Sequence, residues 1–268
     1  MKLDQFYTKD SVAKEYFDSV KDTHLFDVLL EPSAGKGAFF KLLPEDKRLG
    51  LDLEPKFPGI IEKNFFDFEP DTSKKYLTIG NPPFGKNSSL AIKFFNKASE
   101  FSEEIAFIIP RTFKRISVQN KLNLRFKLVS SVDLPNNPCC FEPKMDAKCC
   151  FQIWKKTDIP REIIKYKTTT QDFVFAKYGK KDNKGQPTVP SLDEFDIVMK
   201  AYGSNCGKLI ELSSDLRPKS YHFIKSTIPI QELIRRFETL DYSVSDDTVR
   251  QSSLGKGDLI KLYEEKFK

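Results

Sequence analysis

Leu29-Leu30-Glu31-Pro32-Ser33-Ala34-Gly35-Lys36-Gly37-Ala38-Phe39 is the stretch that decides how the rest of the chain is read. An apolar run, residues 26–30 (FDVLL), leads into it. The segment is therefore expected to follow a first strand and to open a helix. Gly35, Gly37 and the small Ala34 let the backbone approach a ligand closely, because none carries a bulky side chain. A dinucleotide fingerprint would show three glycines serving a pyrophosphate at a helix N-terminus. Here the strand ends in a carboxylate, Glu31, which would repel a pyrophosphate. It suits a ligand bearing an ammonium or sulfonium group instead.

Outward from this turn, acidic residues recur at strand ends. Asp52 closes residues 49–53 (LGLDL), where a carboxylate accepts hydrogen bonds from ribose hydroxyls. Asp67 is expected to end a third strand, between Phe66 and Phe68. A carboxylate there can take an adenine amino group while a ring stacks on the base. One such acid is more often a surface residue or a helix cap. Three at successive strand ends point to one nucleoside-like ligand.

The fourth strand, residues 76–80 (YLTIG), runs into Asn81-Pro82-Pro83-Phe84. Two prolines stiffen the turn and remove two N–H donors, so its carbonyls are free to accept hydrogen bonds from outside. Asn81 adds a side-chain acceptor and Phe84 a flat face. Together they can grip an exocyclic amine, drawing its hydrogens away and exposing the nitrogen lone pair. A diproline turn alone is common and mostly structural; this one gains meaning from the turn that precedes it.

Further runs complete the frame. Residues 105–109 (IAFII), 126–134 and 149–154 read as strands, and residues 10–20 and 90–98 as helices. Strands alternating with helices predict parallel βαβ units in an α/β, doubly wound sheet. Beyond about residue 155 the texture changes. Residues 178–190 read as a loop, and residues 192–201, 229–240 and 258–267 as helices, with Pro229 at a first helical position.

The two motifs, in this order, resemble those of the adenine-N6 methyltransferases that use S-adenosyl-L-methionine, in the gamma-type arrangement. The resemblance covers roughly residues 3–155. EPSAGKG is similar to the cofactor turn and NPPF to the catalytic motif. Gln5-Phe6-Tyr7-Thr8 is similar to the segment that folds over the methionine end of the cofactor. The resemblance implies a Rossmann-like class I methyltransferase fold, with a mostly parallel seven-stranded sheet in a catalytic domain of residues 1–157. A small mixed appendage, residues 158–268, would contribute nucleic-acid recognition. It further implies that Thr8, Glu31, Pro32, Ala34, Gly35, Gly37, Asp52, Asp67 and Phe68 bind S-adenosyl-L-methionine, and that Asn81, Pro82, Pro83 and Phe84 are catalytic. Phe141, similar to a later hairpin, would lie under a flipped base. The expected reaction is in-line methyl transfer to the N6 amino group of adenine, with neither a covalent intermediate nor a metal. DNA is the favoured polymer and RNA the alternative, because Phe84 stands where many DNA enzymes carry Tyr. Glutamine or guanine amino acceptors, and a catalytically silent binding module, are more distant readings.

Composition bounds these expectations. The chain has 268 residues, 44 Lys+Arg against 38 Asp+Glu, and a net charge of +6. Aromatics at 13% argue against disorder. No apolar run approaches the ~20 residues of a membrane helix, and the N-terminus lacks a signal-peptide core. Each side of residue 155 carries +3, so there is no basic tail. One segment is acid-free: residues 111–127 (RTFKRISVQNKLNLRFK). It follows the strand next to the catalytic one, which makes Arg111, Lys114 and Arg115 candidates for contacting substrate phosphates. Residues 173–181 and 219–223 mix aromatic and basic side chains, as a nucleic-acid surface would, though ordinary strand packing is the better explanation of that mixture. Five cysteines, four in the doublets Cys139-Cys140 and Cys149-Cys150, suggest a cytoplasmic or other reducing compartment. Their spacing does not suit a structural zinc site. Cys139 lies too late in the fold to be a cytosine-C5 nucleophile, and neither His24 nor His222 sits in a hydrolytic triad.

Overall fold

A computed structural model describes residues 6–165, 167–211 and 216–268. The chain divides into two units, Met1–Ile164 and Lys165–Lys268.

The first unit is an α/β fold around a seven-stranded sheet. In chain order it contains β1 (Tyr7–Thr8), α1 (Asp10–Asp18), β2 (Val28–Glu31), β3 (Arg48–Asp52), β4 (Ile61–Glu62), β5 (Tyr76–Gly80), α2 (Ser89–Ala98), β6 (Ser102–Pro110), α3 (Ile116–Gln119), β7 (Phe126–Asp133), β8 (Phe141–Glu142) and β9 (Cys149–Lys156). The sheet order is β4-β3-β2-β5-β6-β9-β7. All neighbouring pairs are parallel except those of β9, which runs antiparallel to both β6 and β7. This is the mostly parallel, Rossmann-like sheet expected. Its order reverses between β2 and β5, the switch point outside which ligands of open α/β sheets bind.

Strand residues alternate between two cores. Leu29, Leu77, Ile79, Ala106 and Ile108 face the core that also holds Ala13 and Tyr16 of α1. Leu30, Tyr76, Ile105, Phe107 and Ile109 face the other, with Ala91, Phe94, Phe95 and Ala98 of α2. Because both faces of β9 are covered, Cys149 and Cys150 are both buried, one in each core. Gln152 is also fully buried. It is satisfied by donating to Ser131 Oγ at 3.2 Å and accepting from Trp154 Nε1 at 3.0 Å.

The chain stays bound to this sheet past the end of β9. Arg161 donates through Nε to the Phe126 carbonyl at 3.0 Å, and its guanidinium lies 5.6 Å from the Trp154 ring centroid.

The second unit holds β10 (Phe173–Phe175), β11 (Ile197–Lys200), β12 (Leu209–Ile210), β13 (Tyr221–Ser226), α4 (Ile230–Glu238) and α5 (Lys256–Phe267). Its sheet is antiparallel, in the order β10-β13-β11-β12. Two details differ from the sequence reading. Residues 192–201 are not a helix: a short 3-10 turn, Leu192–Glu194, leads into β11. Ile197 and Met199 enter one core while Val198 enters another, so three adjacent apolar residues are buried on two faces, as only a strand permits. Pro229 caps α4 from outside instead of occupying its first turn.

Candidate active site

β2 and β5 flank the switch point, so the turns that follow them are neighbours. Ser33 Oγ donates to the Asn81 carbonyl at 3.3 Å and ties one turn to the other.

The turn after β2 is not the start of an α-helix. Gly35 and Gly37 adopt φ of 48° and 72°, and only a 3-10 turn, Phe40–Leu42, follows. Pro44 lies just beyond and holds Leu43 extended, leaving no room for an α-helix to propagate. The space left by the missing Cβ atoms is filled by the protein itself. A Cβ on Gly35 would stand 2.8 Å from Tyr7 Cε1, and one on Gly37 would stand 3.3 Å from the Phe57 ring. Ala34 is buried with Phe40 and Ile60 in a small apolar cluster, while its N–H donates to the Leu51 carbonyl at 2.8 Å. Pro32 is buried beside it.

Both carboxylates at this end already accept backbone N–H groups. Glu31 is 3% exposed and its Oε2 accepts from Phe40 N at 2.7 Å. Burial pushes its carboxyl well above the usual 4.5, and the N–H groups of Phe40 and Phe39 offset only part of that. Asp52 accepts from Gly35 N through Oδ2 at 2.7 Å and from Glu54 N through Oδ1 at 2.8 Å. A carboxylate offers about four acceptor positions, so each acid retains capacity for a ligand.

The adenine-type position departs from expectation. Asp67 ends a 3-10 turn, Phe65–Asp67, instead of a strand, and is exposed. Phe68 is only 9% exposed and packs edge-on against Tyr76 and Phe101. It is a core residue with no face to stack on a cofactor base. Phe66 is the exposed ring here, at 37%, braced edge-on by Phe94.

The turn after β5 has the opposite character. Asn81 Nδ2 donates to the Phe6 carbonyl at 3.3 Å. Its Oδ1 is buried and has no hydrogen-bond partner among the described residues. The Asn81 carbonyl is taken by Ser33, and the Phe84 carbonyl accepts Leu90 N and Ala91 N at 3.1 and 3.2 Å. The free carbonyls expected of this tetrapeptide are therefore those of Pro82 and Pro83. Pro82 is buried and Pro83 half-buried. Phe84 is half-buried and touches both cores, which wedges its ring at the sheet's end.

Three further assignments change or gain detail. Phe141 is 4% exposed within the α1-side core, and its backbone pairs with Thr8, so its ring offers no open face to a base. Thr8 is buried and its Oγ1 lacks a partner among the described residues. The segment from residue 111 is acid-free in sequence but not in space: Asp133 Oδ1 lies 3.4 Å from Arg111 Nε and 2.7 Å from Lys114 Nζ. Arg115 is half-buried. Ser88 Oγ and Thr112 Oγ1, 2.8 Å apart, join the chain after Phe84 to this segment. Gln5 lies outside the described residues.

Tyr7, Ser33, Phe66 and Asp133 approach these turns or the segments beside them without an individual role assigned from sequence. Tyr7 and Ser33 stood inside the quoted segments and Phe66 beside Asp67, whereas Asp133 had no local signal.

Among the described residues no group of three His, Cys, Asp or Glu side chains gathers as a metal site, and no helix is long and apolar enough to cross a membrane. No protein-family model matches the sequence, and no curated protein sequence matches it. Solved structures do match. A Pyrococcus horikoshii protein provisionally described as an RNA methyltransferase is 17% identical, with 58% of this chain and 89% of that one covered and a TM-score of 0.43. The 23S rRNA methyltransferase ErmE is 14% identical over 59% of this chain and 72% of its own, at a TM-score of 0.42. Protein 1320 of Thermoplasma acidophilum is 16% identical over 59% and 93%, at 0.37.

Proposed function

We propose that the protein is an S-adenosyl-L-methionine-dependent methyltransferase that modifies the N6 amino group of adenine in a nucleic acid. The observation that carries the reading is Asn81 Oδ1, a buried acceptor without a partner, held at the carboxyl end of β5 beside the switch point. Leaving a buried polar atom unsatisfied costs about 1–3 kcal/mol, and it persists where a ligand supplies the missing partner.

The residues of the first turn fit the cofactor. Glu31 is a buried carboxylate with no ion pair among the described residues, and a cationic ammonium would stabilise its charged form. Asp52 keeps lone pairs for ribose hydroxyls, Thr8 Oγ1 is a spare polar atom, and Phe66 and Asp67 are exposed, as a ring and a carboxylate that take the face and edge of a base would have to be. When bound, the cofactor supplies an electrophilic methyl group on sulfonium.

The chain's own part is to grip and polarise the amine. Asn81 Oδ1 and the Pro82 carbonyl accept its two hydrogens, and Phe84 supports the base from one side. Drawing the hydrogens into hydrogen bonds tilts the nitrogen toward sp3 and directs its lone pair outward. Positioning and polarisation then account for the rate, without a covalent enzyme intermediate. A paired target must be flipped out of its stack at a cost of a few kcal/mol, less for a single strand. The segment from residue 111 and the second unit are assigned to holding the polymer.

The sequence reading favours DNA, whereas two of the similar structures bear RNA methyltransferase names, so the test needs both arms. DNA and RNA oligonucleotides are incubated with methyl-labelled S-adenosyl-L-methionine and digested to nucleosides. Label is expected in N6-methyldeoxyadenosine or N6-methyladenosine, and which one appears identifies the polymer. Label in neither, with cofactor bound, would leave a silent binding module.

A further inference from the structure

The N-terminal strand touches both turns. An asparagine amide rotates about χ2 with little preference, so its orientation is set by its hydrogen bonds. For Asn81 that bond runs from Nδ2 to the carbonyl of Phe6 and turns Oδ1 the other way, where it stays unpartnered. The next residue, Tyr7, lays its ring against Gly35, close enough that a Cβ there would stand 2.8 Å from Cε1 and 3.0 Å from Cδ1. Lys36 Nζ lies 4.7 Å from the same ring's centroid. Beyond Tyr7 the strand is anchored: Tyr7 pairs with Glu142, Thr8 with Phe141, and Lys9 N donates to the Cys140 carbonyl at 3.0 Å. Residues 6–9 thus run from the Asn81 amide, across the glycine turn, to β8.

Resting on the function proposed above, we infer that Tyr7 is a positioning residue for Asn81. Its ring, seated on Gly35, fixes the Phe6 carbonyl, and that carbonyl fixes which way the Asn81 amide faces. The cofactor turn and the base grip are thereby coupled through one side chain, so a shift at Gly35 reaches Oδ1.

Two measurements on the full chain test this. In 15N-labelled protein the Asn81 side-chain NH2 signals are identified by their loss in Asn81→Asp. Tyr7→Ala is expected to move them toward free-amide positions and to speed their hydrogen exchange, while Tyr7→Phe leaves both unchanged. In single turnovers at saturating S-adenosyl-L-methionine and saturating oligonucleotide, Tyr7→Ala is expected to slow methyl transfer roughly 10- to 100-fold, as for a misplaced reacting group, with Tyr7→Phe restoring the rate. Unchanged Asn81 signals in Tyr7→Ala, or a loss confined to cofactor affinity at full saturated rate, would overturn the inference. Should Tyr7→Ala fail to fold, Tyr7→Leu keeps apolar cover over Gly35 without the flat ring and is read the same way. A wild-type protein that methylates no oligonucleotide would defeat the proposed function, while the NMR comparison would still decide the coupling.

Discussion

The turns after β2 and β5 lie side by side, yet they use their polar atoms in opposite ways. In the first, Glu31 and Asp52 accept N–H groups from Phe40 and from Gly35 and Glu54, and the glycines are covered by Tyr7 and Phe57. In the second, Asn81 carries a buried oxygen with no partner, and two prolines offer no N–H to satisfy it. The first turn is a cradle that holds its own shape and lends its remaining lone pairs. The second is rigid in backbone and unfinished in hydrogen bonding. A ligand at the first adds to a completed network; a ligand at the second completes one.

That contrast can be broken by mutation. The largest effect is expected for Asn81→Ala: turnover should fall about 10²- to 10³-fold, the range for removing one well-placed polar group, with cofactor affinity by calorimetry nearly unchanged. If cofactor binding collapses instead, the two turns are not functionally separate.

Asp52→Ala should do the reverse. It removes a bond to Gly35, so thermal stability should drop by about 1–2 kcal/mol, and cofactor affinity should weaken by a larger factor than the saturated rate, which falls only as far as Gly35 shifts under Tyr7. Intact affinity in this variant would remove Asp52 from the cofactor site.

Glu31 sharpens the comparison through pH. Its folded-state pKa is raised by burial, so the proton is held more tightly in the folded protein than in the unfolded chain. Its contribution to stability is therefore fully present below about 4.5 and is lost as pH rises through the raised value. Ligand-free protein should melt at lower temperature as pH rises through that interval, and Glu31→Gln should flatten the slope. A cationic ligand favours the charged form, so its binding should release a proton, detectable by calorimetry in buffers of different ionisation enthalpy. Binding without proton release would argue against an ammonium at Glu31.

The smallest effect concerns the basic segment near the second turn. Asp133 pairs with Arg111 and Lys114, so Asp133→Asn should remove one negative charge from beside these cations and steepen the salt dependence of oligonucleotide binding by up to about one phosphate equivalent. An unchanged slope would mean that these side chains do not face the polymer.

The sequence made some of this legible and hid the rest for definable reasons. β5 and the turn after it could be read because an apolar run ending at a diproline leaves few alternatives. The placement of Asn81 beside Glu31 followed from the sheet class. The unfinished state of Asn81 was not legible, since it depends on Phe6 and Ser33, which approach from distant parts of the chain. Asp133 was hidden in the same way, lying at the far end of a strand from the cations it pairs. Phe66 and Phe68 carry identical side chains around Asp67, and only packing shows that Phe68 belongs to Tyr76 and Phe101. The helix expected after Gly37 failed because the glycine dihedrals and Pro44 act together. In the second unit, residues 192–201 misled because three adjacent apolar residues fit a buried helix or a buried strand equally well.

The pairing of β1 with β8 has a further consequence, in the order of assembly. Tyr7 and Thr8 must wait for Glu142 and Phe141, residues from the opposite end of the first unit, and closing so long a loop is entropically slow. The hydrogen bonds of the cradle after β2, from Phe40 N to Glu31 and from Gly35 N to Asp52, need only neighbouring strands and can form early, before Tyr7 covers Gly35. A nascent or truncated chain ending before β8 would therefore carry the cradle without a fixed Asn81 amide. The Asn81 amide is the last part of these two turns to be fixed, and only once β8 has paired with β1.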